Sequence, residues 1–185
     1  ARDLTQQLLT FSKGGAPVKQ TTSVVDLIKD SALFALRGSN IQCEFEMPDS
    51  LWAVEIDAGQ ISQVINNLVI NAMQAMPEGG TVRVTAENET LGGQDATFLS
   101  PGRYVKVSIS DQGPGIAERL RHKIIDPYFS TKAKGAVKGT GLGLSISHSI
   151  VSNHGGEITA CSRVGVGTTF HVLLPASEAA VDAVE

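Results

Sequence analysis

Asp57-Ala-Gly-Gln-Ile-Ser-Gln-Val-Ile-Asn-Asn-Leu-Val-Ile-Asn-Ala-Met-Gln-Ala-Met-Pro77 decides how the rest of the chain is read. No charged residue lies between Ala58 and Pro77, yet the run is too rich in amides for a membrane span. At about 100° per residue, Ile61, Val64, Ile65, Leu68, Ala72, Ala75 and Met76 share one helical face. Gln60, Gln63, Asn67, Asn71 and Gln74 form a second stripe, and Val69, Ile70 and Met73 fill much of the remainder. A helix apolar on most sides is buried, and burying a row of amides costs free energy unless each finds a partner. The stripe therefore faces a polar ligand or an internal polar network. Asn67 and Asn71, one turn apart, can reach a single point. Their neutral carbonyl oxygens suit Mg²⁺ beside a phosphate chain, because that ion keeps waters and phosphates in its shell and needs few protein ligands. A plain core helix with amides bonded to neighbouring backbone is the alternative.

The 185 residues fit one domain with an appended element. A composition of 42% hydrophobic and 18% charged residues is that of a globular protein with a real core. The net charge of −4 gives no basic field for nucleic acid. No apolar run is long enough to cross a bilayer, and no signal peptide is present. Cys43 and Cys161 lack metal-ligand spacing and read as buried, reduced thiols of a cytosolic protein. The chain opens on Ala rather than Met, which suggests a piece of something longer.

Outward from the amide helix, residues 1–13 read as the end of a helix stopped by Gly14-Gly15-Ala16-Pro17. Residues 14–20 form a linker, with a short extended piece around Val18–Thr22. An amphipathic helix follows over about Val24–Arg37. Ile41–Met47 alternates as a half-buried strand, with Trp52–Ile56 expected as its hairpin partner across Pro48-Asp49-Ser50. Thr81–Glu87 and Arg103–Asp111 are further strands, separated by an exposed connection over 88–102. A long irregular segment, 112–140, holds a short helix near 117–123 and is rich in Gly, Pro and Lys. Thr140–Asn153 is a helix opening in glycines, and strands Glu157–Arg163 and Thr168–Leu174 close the fold around Gly165-Val-Gly167. The small, acidic residues 176–185 read as a tail or linker.

Period two sets Asp111 on the same face as Val105, Val107 and Ile109, where a carboxylate needs a donor. Gly113-Pro-Gly115 follows, letting backbone approach a flat ligand such as adenine, whose amine would donate to Asp111. A turn whose Asp caps the helix near Ala117 is the competing reading. Gly139-Thr-Gly-Leu-Gly-Leu144 opens a helix, and amides at a helix start suit phosphate. The spacing is neither the Rossmann fingerprint nor a P-loop. Lys132 and Lys138 could fold over a triphosphate; Lys134 reads as solvated. Pro127-Tyr128-Phe129 would anchor this loop. His122, His148 and His171 read as surface or packed residues, and His154 as a helix-end residue.

Five motifs in order, QVINNLVINAMQAM, DQGPGI, PYFSTK, GTGLGLSISHSIVSNHGGEI and GVGTTFHVLLP, resemble the ATP-binding catalytic domain of sensor histidine kinases, in the GHKL superfamily. The likeness spans roughly residues 21–175, and LTQQLLTFSKGGAP resembles the end of that family's second dimerisation helix. It implies an α+β fold, a two-layer sandwich with a mixed, mainly antiparallel sheet under three helices. It also implies Mg-ATP bound between helices and lid. By the resemblance Asn71 ligates Mg²⁺ with Asn67 beside it, and Asp111 accepts from adenine in a pocket shaped by Gly113 and Gly115. Thr168 is the hydroxyl residue near Asp111. Gly139, Thr140, Gly141, Leu142 and Gly143 form the phosphate-side turn. Lys132 contacts the terminal phosphate, and Phe129 packs lid against body or partner helix.

ATP-hydrolysing members of the superfamily carry a water-activating Glu four residues before the metal-binding Asn. Asn67 stands there and cannot act as a base, which favours phosphoryl transfer. The acceptor motif H-[ED]-x-x-x-P is absent from these residues, so the phosphorylated histidine is expected elsewhere. The resemblance further implies homodimerisation through histidine-phosphotransfer helices, a response regulator receiver domain as partner, and a bacterial, cytoplasmic setting. A GHKL ATPase and a nucleotide-dependent docking module are the alternatives.

Overall fold

The structure, a computed structural model, describes residues 16–95, 98–124, 126 and 142–178. The helix expected over 1–13, the lid motif around Phe129 and Lys132, the glycine-turn residues Gly139, Thr140 and Gly141, and the end of the tail lie outside these residues.

Among the described residues, three helices cover one face of a five-stranded sheet. Strand β1 (Gln20–Thr22) leads through Ser23 into α1 (Val24–Ala35). Then come β2 (Ile41–Glu46), β3 (Val54–Ile56) and α2 (Ala58–Ala75). After these follow β4 (Gly80–Leu91), β5 (Gly102–Ser110), a 3₁₀ turn at Glu118–Leu120, α3 (Gly143–Asn153), β6 (Glu157–Arg163) and β7 (Gly167–Pro175). The large sheet runs β2-β4-β5-β7-β6; β2 and β4 are parallel and the other pairs antiparallel. This mixed, mainly antiparallel sheet under three helices is the two-layer α+β sandwich expected.

The period-two patterns explain which face is covered. Val82, Val84 and Ala86 of β4, Val105, Val107 and Ile109 of β5, and Phe170, Val172 and Leu174 of β7 are all buried beneath the helices. From the helix side Ile28 and Ala32 of α1, Ile61, Val64, Ile65 and Leu68 of α2, and Ile146 and Ile150 of α3 complete one core. The opposite sheet face carries polar pairs across strands, Ser108 with His171, Ser110 with Thr169, and Lys106 with Glu87 and Glu89, beside a small apolar cluster of Leu91, Tyr104 and Leu173.

Two expectations need correction. The hairpin between Ile41–Met47 and Trp52–Ile56 does not form. Instead β2 pairs in parallel with β4, Ile41 facing Gly80, and the three-residue β3 pairs antiparallel with β1 in a separate small sheet. Alternation specifies a strand but not its neighbour; here Ile41, Cys43 and Phe45 reach the common core only from the outer edge of the large sheet. The intervening residues lie along β4, where Asn88 accepts from Trp52 N at 2.9 Å and donates to Ser50 O at 2.8 Å. β4 itself runs past the expected end at Glu87, because its pairing with β5 continues to Leu91 opposite Gly102. Second, Cys161 is exposed rather than buried, because it falls on the outward register of β6, whereas Cys43 is half-buried on the inward register of β2.

Candidate nucleotide site

Helix α2 begins where Asp57 caps it, its Oδ1 accepting from Gly59 N at 3.1 Å and Gln60 N at 3.2 Å. It stops before Pro77, which cannot continue it. Along it Asn67, Asn71 and Ala75 stand in line at spacings of four, spanning about 12 Å at 1.5 Å rise per residue.

At one end of this line Asn67, 8% exposed, donates from Nδ2 to Gly143 O and to Ser147 Oγ, each at 3.3 Å. The start of α3 therefore sits against Asn67. Its cap residue Leu142 makes no side-chain cap bond, so the first-turn amides have no side-chain acceptor there. In the middle, Asn71 is half-buried, and among the described residues its side chain has no hydrogen-bond partner.

At the other end Ala75 meets the loop after β5. A Cβ on Gly113 would stand 2.7 Å from Ala75 Cβ and 2.9 Å from Ala75 O, so only glycine lets the loop lie on the helix. Gln112 N donates to Met76 Sδ at 3.3 Å and draws the same loop down. Asp111, half-buried, accepts at Oδ1 from Gly113 N at 2.9 Å and from Thr168 N at 3.3 Å. Among the described residues Oδ2 has no partner. Burial pushes the Asp111 carboxyl above its ordinary value, while the Gly113 and Thr168 amides pull it the other way. The loop is fixed from the far side by the β6–β7 turn. Gly115 adopts φ +75°, and a Cβ there would lie 2.3 Å from Arg163 O. Gly165 N donates to Pro114 O at 2.8 Å.

Thus Asn67, Asn71, Asp111, Gly113, Gly115, Leu142, Gly143 and Thr168 line up around one stripe of α2 and its two ends. The competing reading of Asp111 as a cap for a helix near Ala117 finds no support: the 3₁₀ turn there has Ala117 before it and no side-chain cap. Lys132, Gly139, Thr140 and Gly141 are outside the described residues.

Sequence reasoning missed several supporting residues. Ser162 accepts from Ile116 N at 2.7 Å and donates to Gly167 O at 3.1 Å; with its own proton so used, it accepts from Thr168 Oγ1 at 2.8 Å. One hydroxyl thus ties together the glycine loop, the β6–β7 turn and Thr168; its place on the strand before the turn was the available signal. Ser147, fully buried, lies one turn after Gly143 and could have been found as its i+4 neighbour. Among the described residues Asn66 Oδ1 is buried without a partner. It lies one turn beyond Ser62, which pairs with Ser31 of α1 at 2.8 Å, on a different stripe from Asn67. Nothing in the structure explains it. A groove of about 280 Å³ between the 3₁₀ turn, α3 and β6 holds Arg121, His122, His148 and Phe170 but none of the expected site residues.

Comparison with known proteins places the chain in a family. Residues 56–178 match the family model described as histidine kinase-, DNA gyrase B-, and HSP90-like ATPase. The chain is 37% identical over 182 residues to sensor kinase CckA of Brucella abortus (strain 2308), covering 95% of this chain and 19% of that protein. It is 36% identical over 172 residues to sensor histidine kinase ZraS of Escherichia coli (strain K12), covering 91% of this chain and 34% of that protein. It therefore spans about a fifth to a third of the length of these relatives. Among solved structures, the catalytic domain of histidine kinase ThkA superposes with TM-score 0.67 at 34% identity, covering 85% of this chain and 95% of that one. Full-length ShkA in complex with AMPPNP shares the fold, with TM-score 0.76 at 24% identity over 96% of this chain and 36% of that one. With the matched model spanning both ends of the α2 stripe, the chain belongs to the histidine kinase-, DNA gyrase B- and HSP90-like ATPase family, as a catalytic domain of the sensor histidine kinase kind.

Proposed function

We propose that this domain binds Mg-ATP along the α2 stripe and directs its γ-phosphoryl group to a histidine outside these residues. Adenine lies against the Asp111 loop, its exocyclic amine donating to the open Oδ2, with Gly113 and Gly115 giving the ring its flat approach and Thr168 nearby. The phosphates run past Asn71 toward Asn67 and the start of α3. There Gly139, Thr140, Gly141, Leu142 and Gly143 supply backbone amides, and Lys132 reaches the terminal phosphate.

The donor set fits Mg²⁺. Among the described residues the Asn71 side chain has no hydrogen-bond partner, so it offers a neutral oxygen to an ion held mainly by phosphates and water. Asn71 would hold the ion, with Asn67 beside it. Bound there, it would neutralise the charge that develops on the phosphates. The remaining work belongs to this chain: to hold the nucleotide at both ends and to present the terminal phosphate to an incoming imidazole nitrogen. An N–P bond forms as the bond to the β-phosphate oxygen breaks, and ADP leaves.

One observation carries transfer over hydrolysis. The position where a water-activating carboxylate would sit holds Asn67, whose Nδ2 protons are committed to Gly143 and Ser147. An amide there takes no proton from water. In the longer protein the acceptor would come from dimerisation helices, of which residues 1–13 are the end and 14–20 the linker to a catalytic domain over 21–175. Ala176 and Ser177 are still bonded to the domain, at Arg103 O and Ala53 O, and the tail would lead away only after them. A response regulator receiver domain would take the phosphoryl group next. Among the described residues no helix is long and apolar enough to cross a membrane.

The test supplies ATP labelled at the γ-phosphorus, with dimerisation helices bearing the acceptor histidine. Acid-labile, alkali-stable label on the helices is expected. Free phosphate released at a comparable rate, with no labelled histidine, would overturn the proposal in favour of an ATPase. Asn71→Ala should bring the affinity for ATP with magnesium down to that measured in EDTA.

A further inference from the structure

Asp57 does more than cap α2. Its Oδ2 accepts from Val18 N at 3.1 Å, so the segment entering the domain is bonded to the same carboxylate whose Oδ1 holds the first turn of α2. Its own N–H donates to His154 Nε2 at 3.0 Å. His154 is 2% exposed, and its Nδ1 donates to Ile150 O at 2.7 Å. A carbonyl only accepts and an N–H only donates, so Nδ1 is the donor and Nε2 the acceptor of this ring. It locks the end of α3 to the start of α2.

These contacts close a frame. At one end of the antiparallel pair, Asp57 of α2 meets His154 of α3. About 15 Å further along α2, Asn67 meets Gly143 and Ser147 at the other end of α3. The second joint is the phosphate end of the proposed nucleotide site. The first is where the entering segment is tied, reinforced by the β1–β3 ladder, which registers Gln20 against Ile56, and by Thr21 donating to Glu55. Displacing residues 16–22 therefore loads Asp57, and through it both helices that meet at Asn67.

We propose that the entering segment and the nucleotide site are thermodynamically coupled through Asp57, a positioning residue, with His154 as the arm to α3. This inference rests on the nucleotide-binding reading above. Linkage is reciprocal: if engagement of Val18 favours nucleotide, nucleotide must favour engagement of Val18. Because the Val18 bond is exposed, the effect belongs at the low end of coupling energies, about five-fold.

The test uses the 185-residue chain. Asp57→Asn keeps the capping oxygen, since Asn caps as well as Asp, but turns an NH₂ toward Val18 N. Val18→Pro removes the N–H from the other side. Saturating Mg-ADP should slow exchange of the Val18 amide about five-fold in the unaltered chain. By calorimetry each variant should bind about five-fold more weakly, and the double variant no more weakly than either single one. Nucleotide binding that leaves Val18 exchange unchanged, or variant losses that multiply in the double variant, would overturn the coupling. No heat of binding in the unaltered chain would instead refute the nucleotide site. Loss of fold stability alone cannot mimic nucleotide-dependent protection at residue 18.

Discussion

Asp111→Asn separates recognition from folding, because the two oxygens of this carboxylate have different partners. Oδ1 accepts from Gly113 N and Thr168 N, whereas Oδ2 is open toward the proposed adenine position. Asparagine keeps an oxygen for the two backbone amides and puts an NH₂ where the open oxygen stood. The loop holds its shape while the adenine amine meets a donor instead of an acceptor. A hydrogen bond to a charged group is worth about 1.5–3 kcal/mol, so affinity should fall about 10- to 150-fold. Stability should move the other way or not at all. Burial raises the Asp111 carboxyl in the folded state, so its ionised form opposes folding above that raised value, a penalty absent below the unfolded value. Removing the charge relieves the penalty at neutral pH. Calorimetric titration with ADP, alongside thermal melting of the nucleotide-free domain, reads both quantities. An unchanged dissociation constant would refute the adenine assignment. A parallel drop in melting temperature would show that Asp111 mainly holds the loop.

Nucleotide affinity of the unaltered domain should weaken as pH falls, beginning above the ordinary aspartate value of 3.8 because burial raises Asp111; affinity flat to pH 4 would contradict this. Gly115→Ala forces a side chain into φ +75° with its Cβ 2.3 Å from Arg163 O. It should cost about 1–3 kcal/mol in denaturant unfolding and weaken nucleotide binding with it. Alkylation at pH 8 should label exposed Cys161 and spare Cys43, whose thiol burial pushes up to about 11; mass spectrometry showing equal labelling would place β2 differently.

Much of this site was legible in residue order because its parts are local. The amide stripe of α2 and the glycines after β5 follow from periodicity, spacing and turn chemistry, whereas the cap made by Asp57 went unread. Asn67 shows the limit: its spacing beside Asn71 made it a ligand candidate, while its bonds to Gly143 and Ser147 join residues 76 and 80 positions away. The same holds for Ser162, which reaches Ile116 across 46 positions, and for His154, which reaches Asp57 across 97. Periodicity assigns each a face; only packing assigns the partner. Strand partners failed for the same reason at β2, where alternation fixed the inward residues but proximity in sequence suggested the wrong neighbour.

That parallel edge bears on how the chain assembles. Ile41 faces Gly80, so β2 leaves the ribosome well before its partner and closes a long loop to meet it. Until α1 has settled on them, the inward Ile41, Cys43 and Phe45 have no roof, and until β4 arrives the backbone of β2 has no ladder. Outward Glu44 and Glu46 guard it meanwhile, since two copies laid edge to edge would bring like charges together. This strand should be the last of the large sheet to lock and the first to loosen.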